Sequence, residues 1–398
     1  MAYETWRVAA LGILAVLILV PVTLPVAILR ELVQTRFDVS ESLTSLFMSI
    51  NMLGAVVAAP IAGALADRHG RRREIVSLAL VADGALLYAL ALPVSFPVFM
   101  AIRFAEGCAH IAALSMLLGI AAGERRGEGR GWVMGLVGGG ITLGVALGAG
   151  AGAALASRDV LLPLRAGAGI VLAAAVFAHL VLRERDVAEA RPPFSEIRAA
   201  LHRHRELLVP LAFSFIDRFT VGFYTTTFSL YVSRIFSLEP SRRGLLIMAF
   251  MLPFALLSFP FGRLSERGSR VWMLCGGSVA YGIGTAALPW IPVEWLMLAM
   301  AGVGICAAVM FVPSLLLTQE LAPAELRTTA MGAFNAAGSL GFIVGPVAGG
   351  LVSEGVAGSF GWLAGYRAAF GLAGCSVLVC VALTLPTLRA AVRRGSTR

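Results

Sequence analysis

The chain is 398 residues long, 58% hydrophobic and 14% charged, with a mean hydropathy of +0.85. Soluble proteins of this size carry about a quarter charged residues, so a water-soluble enzyme or binding module is excluded. The net charge is +9 and all 32 basic side chains are arginine, but they lie between apolar runs, which argues for membrane topology and against a nucleic-acid partner.

Twelve apolar runs of about twenty residues follow one another, each long enough to cross a hydrocarbon core of about 30 Å. They predict helices at 8–29, 42–65, 74–93, 96–120, 131–156, 160–182, 207–233, 244–264, 271–290, 293–318, 328–353 and 366–386, hence an all-α membrane protein. The first run is too long for a cleaved leader and lacks a small-residue cleavage site, so it reads as a span. Cys108, Cys275, Cys306, Cys375 and Cys380 all fall in apolar runs without a CxxC pair. They read as small buried hydrophobes rather than metal ligands or disulfides.

Span 1 has no ionisable residue and carries Pro21 and Pro25. Asn51 in span 2 reads as a hydrogen-bonding partner for a neighbouring helix rather than a substrate ligand. Between spans 2 and 3 stands Gly63-x-x-x-Asp67-Arg68-x-Gly70-Arg71-Arg72. There Gly63 permits close helix approach, Gly70 permits a tight turn, and Asp67 can meet a helix N-terminus or an arginine. Asp83 falls in mid-span 3, where a packing role and a coupling role both fit. In span 4, Arg103, Glu106 and His110 share one helix face at i, i+3 and i+7. Ionisable groups inside a span are costly unless they face a cavity or each other. An arginine holds a neighbouring carboxylate ionised, and separating the two lets the carboxylate take a proton. A fixed Arg103–Glu106 pair that only holds helices together is the structural alternative.

Span 5 contains "GVALGAGAGA", Gly144 to Ala153, with Gly144 and Gly148 four residues apart. The connector 183–206 contains "FSEIRAALHRHRELL", in which Ser195 can cap an interfacial amphipathic helix. Span 7, "FSFIDRFTVGFYTTTFSLY", places Asp217, Thr220, Tyr224, Thr227 and Tyr231 on one stripe. Asp217 is about 15 Å in from the helix end, near mid-bilayer. Arg218 lies about 100° around the helix from it and is expected to need another partner. Met248, Met251 and Phe254 in span 8, with Met297, Met300, Met310 and Phe311 in span 10, supply adaptable apolar surface. Span 11 contains "GFIVGPVAGG", in which Gly341, Gly345 and Gly349 recur every four residues beside Pro346.

The two halves repeat. "GALADRHGRR" from Gly63 is echoed by "GRLSERGSR" from Gly262, which brings Glu266 and Arg267, and Gly107, Gly144 and Gly148 recur as Gly304, Gly341 and Gly345. Two six-helix bundles, 1–182 and 207–398, are therefore expected around the connector 183–206. Arginines concentrate in alternate connections and in the tail, which places both termini in the cytoplasm. The arginine-only, alanine- and glycine-rich composition points to a GC-rich bacterial genome, hence to a bacterial inner membrane.

The loop motif at Gly63–Arg72, together with Arg103-Phe-Ala-Glu106-Gly107 in span 4, resembles the major facilitator superfamily over the whole chain. Pro21 and Pro25 are similar to the kink of its twelve-span drug:proton exporters, many of which also carry an acid in helix 1; here there is none. The exporters' Gly-x-x-x-Gly-Pro-x-x-Gly-Gly signature belongs in helix 5. In this chain it stands in span 11, and Ala149 occupies the proline's place in span 5. The resemblance implies that helices 1, 4, 7 and 10 line a central cavity and that the loop at Asp67 latches the outward-facing state. It implies a monomeric transporter that exports a small amphipathic or lipophilic compound against protons by alternating access. Glu106 and Asp217 would carry protons, with Arg103 and Asp83 assisting. His110, Arg218, Tyr224, Thr220, Thr227 and Met300 would meet the substrate. An importer or facilitator of a metabolite or organic anion is the alternative, and a transport-like assembly factor or receptor a more distant one. No zinc-ligand spacing, nucleophile elbow or phosphate loop is present, so no catalytic, metal or cofactor site is expected.

Overall fold

The computed structural model describes residues 2–69, 72–124, 129–182, 205–267, 270–322 and 327–395. Helix α1 (Ala2–Thr23) runs into a 3-10 turn (Val26–Ile28) and a π turn (Arg30–Thr35). Proline lacks the amide that an α-helix needs from it, and Pro21 and Pro25 bracket the point where the regular ladder ends. There follow α2 (Glu41–His69), α3 (Arg72–Leu90), α4 (Phe96–Glu124), α5 (Gly129–Ala156) and α6 (Leu162–Val181). The second series is α7 (Arg205–Phe236), α8 (Pro240–Arg267), α9 (Arg270–Ala287), α10 (Leu296–Leu321), α11 (Arg327–Phe360) and α12 (Trp362–Gly395). No strand occurs among the described residues.

Eleven of these helices are long and apolar enough to cross a membrane. The exception is α3, whose nineteen residues include Arg73, Glu74 and Asp83. Outward faces are apolar, with Leu78, Leu180, Leu298 and Leu383 each more than half exposed. That pattern suits hydrocarbon and would be unstable in water. The five cysteines are free thiols; Cys275 and Cys380 are buried, whereas Cys375 departs from the expectation and is exposed on an outward face.

The helices segregate into two compact units: Met1–Ala190 with Leu238–Met248, and Arg191–Ser237 with Ala249–Arg398. In unit 1, α1 packs along α5 and α6, α2 along α4, and α3 against α4 and α6. In unit 2, α7 packs along α11 and against α10 and α12, while α9 lies against α10 and α12.

Missing side chains set the tightest crossings. A Cβ on Gly144 or Gly148 would collide with the Val16 or Val20 carbonyl of α1, and one on Gly341 or Gly345 with the Phe215 or Phe219 carbonyl of α7. Gly107 sits against the Asn51 carbonyl of α2 in the same way, and Gly304 against the Phe250 carbonyl of α8. Gly349 meets Thr227 and the Phe223 ring, and Pro346 packs on Gly222. The glycines recur at an offset of 197 and their carbonyl partners at 199, so the internal repeat is a repeat of helix crossings. Asp38 and Ser237, also 199 apart, both adopt positive φ, 52° and 51°. Ser237 caps α7 with that left-handed residue.

Candidate functional site

Unit 1 buries a polar cluster between α2, α3 and α4. Arg103 and Glu106 are both 0% exposed, with Arg103 Nη1 2.8 Å from Glu106 Oε2. The Asn51 side-chain amide, brought close by the Gly107 crossing, donates to the same Oε2 at 2.5 Å. The Arg103 guanidinium lies 4.3 Å from the centroid of the Phe47 ring, which itself stacks on Phe99 at 5.3 Å. A desolvated guanidinium over a ring gains cation–π attraction. Glu106 therefore takes both strong bonds on one oxygen, and Oε1 has no hydrogen-bond partner.

His110 lies one turn further along α4, with its Nδ1 3.3 Å from Asp83 Oδ2 of α3. The two side chains are 4% and 1% exposed, and Asp83 Oδ1 has no hydrogen-bond partner. The resemblance assigned His110 to the substrate; its partner in the structure is Asp83.

In unit 2, Asp217 is buried and the Arg218 Nε lies 3.4 Å from its Oδ2. That contact is an ion pair without a hydrogen bond, and both Asp217 oxygens lack a bonding partner. Helix geometry alone would separate the two side chains, but the long arginine folds back. Its guanidinium comes 5.6 Å from the Phe311 ring centroid, so it finds its partners on α10 and in the adjacent residue. Thr220 Oγ1 donates to its own helix at Asp217 O, 2.8 Å away. Tyr224 Oη donates to Thr285 Oγ1 on α9 at 2.9 Å, and its ring stacks on Phe250 at 4.8 Å. Tyr224–Phe228 forms a π turn, a widening often found at functional sites. It interrupts the regular spacing of the stripe between Tyr224 and Thr227. Thr227 and Tyr231 are buried with unbonded hydroxyls, and Met300 is fully buried.

Unit 1 also holds the start of α8 within Leu238–Met248. There Arg243, 0% exposed, reaches Glu31 Oε1 with Nη2 at 2.5 Å, and Gly244 packs against Ala149 and Ala153 of α5. The switch-loop candidates fall largely outside the described residues. Gly70 and Arg71 are not described, and Gly63, Asp67, Arg68, Arg72, Glu266 and Arg267 are placed only as helix backbone. Gly262 lies on α8 beside Val312. Among the described residues no group of three or more His, Cys, Asp or Glu could hold a metal ion.

A family model of the Major Facilitator Superfamily matches residues 9–216 and again residues 210–397. The chain belongs to the major facilitator superfamily. It is a multi-pass membrane protein of that family, and the family and fold are those of transporters. Its sequence is 29% identical over 188 residues to mouse protein spinster homolog 1, a match that takes in 46% of this chain and 34% of the mouse protein. The human counterpart matches over the same length at the same identity. The chain thus spans about a third of the length of the curated relatives it matches. The fold is similar to that of a bacterial homologue of the human lysosomal transporter spinster, in an inward-facing, unoccupied form. The TM-score is 0.82 and the identity 14%, over 98% of both chains. It is also similar to a nucleoside transporter, at a TM-score of 0.80 and 14% identity over 96% and 99%. Similarity to the human organic anion transporter MFSD10 has a TM-score of 0.71 and 20% identity over 96% and 99%.

Several members of the polar clusters were hidden in the sequence. Asn51, a lone amide inside an apolar run, reads from the sequence as a partner for a neighbouring helix; that the partner is Glu106, 55 positions away, depends on which helices touch. The Asp83–His110 and Glu31–Arg243 pairs likewise depend on which helices touch.

Proposed function

We propose that this superfamily member is a proton-coupled secondary transporter, with Glu106 as the principal proton carrier, Asp217 as a second, and Arg103 setting the charge state of Glu106. The single observation that supports this is Glu106 itself, fully buried with Oε2 held by Arg103 and Asn51 and Oε1 unbonded. An oxygen left bare in a desolvated site is where a proton adds at least cost. The moving parts in this reading are two six-helix halves, 1–182 and 207–398, linked by 183–206 and rocking in alternating access. The loop at Gly63–Arg72 would latch one state. In this reading the protein is a monomer in a bacterial inner membrane, and the arginine bias supports cytoplasmic termini.

The substrate we favour is a small amphipathic or lipophilic compound moved outward, as in the drug:proton antiporters. Methionine and aromatic surface such as Met248, Met251, Phe254 and Phe311 adapts to apolar shapes. A sugar would want more amide side chains than the described helices of either unit offer. A second reading, uptake or facilitated passage of an organic anion, is favoured by Arg218, whose side chain stays 42% exposed beside Phe311 despite its contact with Asp217. A thermal-shift screen of the purified full chain against lipophilic cations, lipids and organic acids separates the two. Stabilisation by lipophilic compounds, retained in Arg218→Gln, is the expected result; stabilisation by organic acids alone, lost in Arg218→Gln, would replace the first reading with the second.

A further inference from the structure

We infer that Asp83 and His110 form a second proton-binding site in unit 1, distinct from Glu106 and tied to it electrostatically. The inference rests on reading the chain as a proton-coupled transporter. The geometry is a carboxylate on α3 and an imidazole on α4, both essentially buried and 3.3 Å apart. A carboxylate in a span is costly unless neutralised, so the question is what neutralises Asp83.

Among the described residues the ionisable groups on the elements packed around the pair are few. On α4, besides His110, they are Arg103, Glu106, Cys108 and, at the far end of the helix, Glu124. Arg103 is committed to Glu106 at 2.8 Å, and Cys108 bonds the Gly54 carbonyl of α2. On α3, Arg72, Arg73 and Glu74 stand in the first turn, about 15 Å along the axis from Asp83, and Tyr88 is exposed. Helix α2 offers the neutral Asn51 along its length and carries ionisable residues only at its ends, Glu41 in the first turn and Asp67, Arg68 and His69 in the last. On α6, Arg165 is exposed and paired with Asp159 at 3.1 Å, and His179 in the last turn is exposed. Helix α1 has no ionisable group inside its apolar stretch. Asp83 is therefore neutralised by a titratable proton, held on His110 or on its own carboxyl. A fixed cation would not do this; a histidine does, because its charge changes near physiological pH.

The proton ledger closes without any other reactant. With Nδ1–H donated to Asp83 Oδ2, Nε2 is the atom that gains or loses the exchangeable proton. When water reaches the pair, imidazolium passes that proton from Nε2 to water and becomes neutral imidazole. Asp83 stays ionised, and its free Oδ1 accepts hydration. Return of a proton restores a net-neutral pair that can be buried again. Glu106 stands four residues before His110 on the same face of α4, so occupancy of one site changes the proton affinity of the other.

The test follows the protons directly, in the full chain reconstituted in lipid nanodiscs with ¹⁵N-labelled histidine. Ring nitrogen spectra across about pH 5 to 9 should show one reversible histidine transition that is lost in His110→Gln. That transition should move in Asp83→Asn and in Glu106→Gln. His110→Arg, which keeps the ion pair but cannot titrate, should fold and lose the transition. A His110 ring that keeps one protonation state throughout, or a transition unmoved by Asp83→Asn, overturns the site whatever transport does. A titrating His110 alongside proton-driven transport that ignores Glu106→Gln would overturn the role given to Glu106 and leave the site standing.

Discussion

Arg103 and Glu106 cannot be dissected one at a time without exposing the cost of burying the other. Both are fully buried, and Arg103 holds Glu106 Oε2 while resting on the Phe47 ring. Removing one partner of a buried pair costs about 3–5 kcal/mol, because the survivor is left as an unpaired charge. Arg103→Ala should therefore lower the thermal midpoint strongly, and adding Glu106→Gln to it should recover much of the loss. If the double variant is as unstable as the single one, the two residues do not act as a pair. The spacing of these residues on one helix made this part of the site readable before any fold was known. What spacing could not supply was the choice of partner across helices. His110 sits on the same face as Glu106, and the resemblance implied a substrate role for it. Its actual neighbour is 27 residues away on α3. Arg218 shows the opposite error, since helical geometry overstated its distance from Asp217 by ignoring the reach of its side chain.

At the level of the elements, bare glycine faces decide which helices cross and how closely. Gly345 lies against the Phe219 carbonyl, so any Cβ forces α11 away from α7, whereas nothing lies near a Cβ on Gly355 of the same helix. Gly345→Val should lower stability by about 1–3 kcal/mol, the range for overpacking a tight contact. Gly355→Ala should be neutral or gain up to about 1 kcal/mol from helix propensity. Equal effects on the unfolding midpoint would mean that the crossing is not set by this contact. The spans and their glycine repeats were legible because both are properties of single helices. Departures come from local chemistry. Two prolines end α1 in 3-10 and π turns, and a π turn interrupts α7 at Tyr224. The Arg243–Glu31 pair, with Gly244 on α5, ties the start of α8 into unit 1. An even division of spans between halves does not foresee that attachment.

For the whole molecule, the internal repeat and the family match give two related bundles with unlike polar interiors. Unit 1 concentrates ionisable residues around Glu106, while unit 2 presents Asp217 with hydroxyls and aromatic rings. That asymmetry divides the labour in the proposed cycle, with protons handled chiefly in the first half and Asp217 contributing from the second. The most direct test uses proteoliposomes carrying a pH dye, challenged with a gradient of the compound that most stabilises the protein in the thermal-shift screen. Wild-type protein should move protons across the bilayer in proportion to that compound. The Glu106→Gln, Asp217→Asn double variant should still bind the compound but move at least tenfold fewer protons, a loss on the order of 1.4 kcal/mol or more in coupling. A double variant that moves as many protons per compound as the wild type would contradict the account.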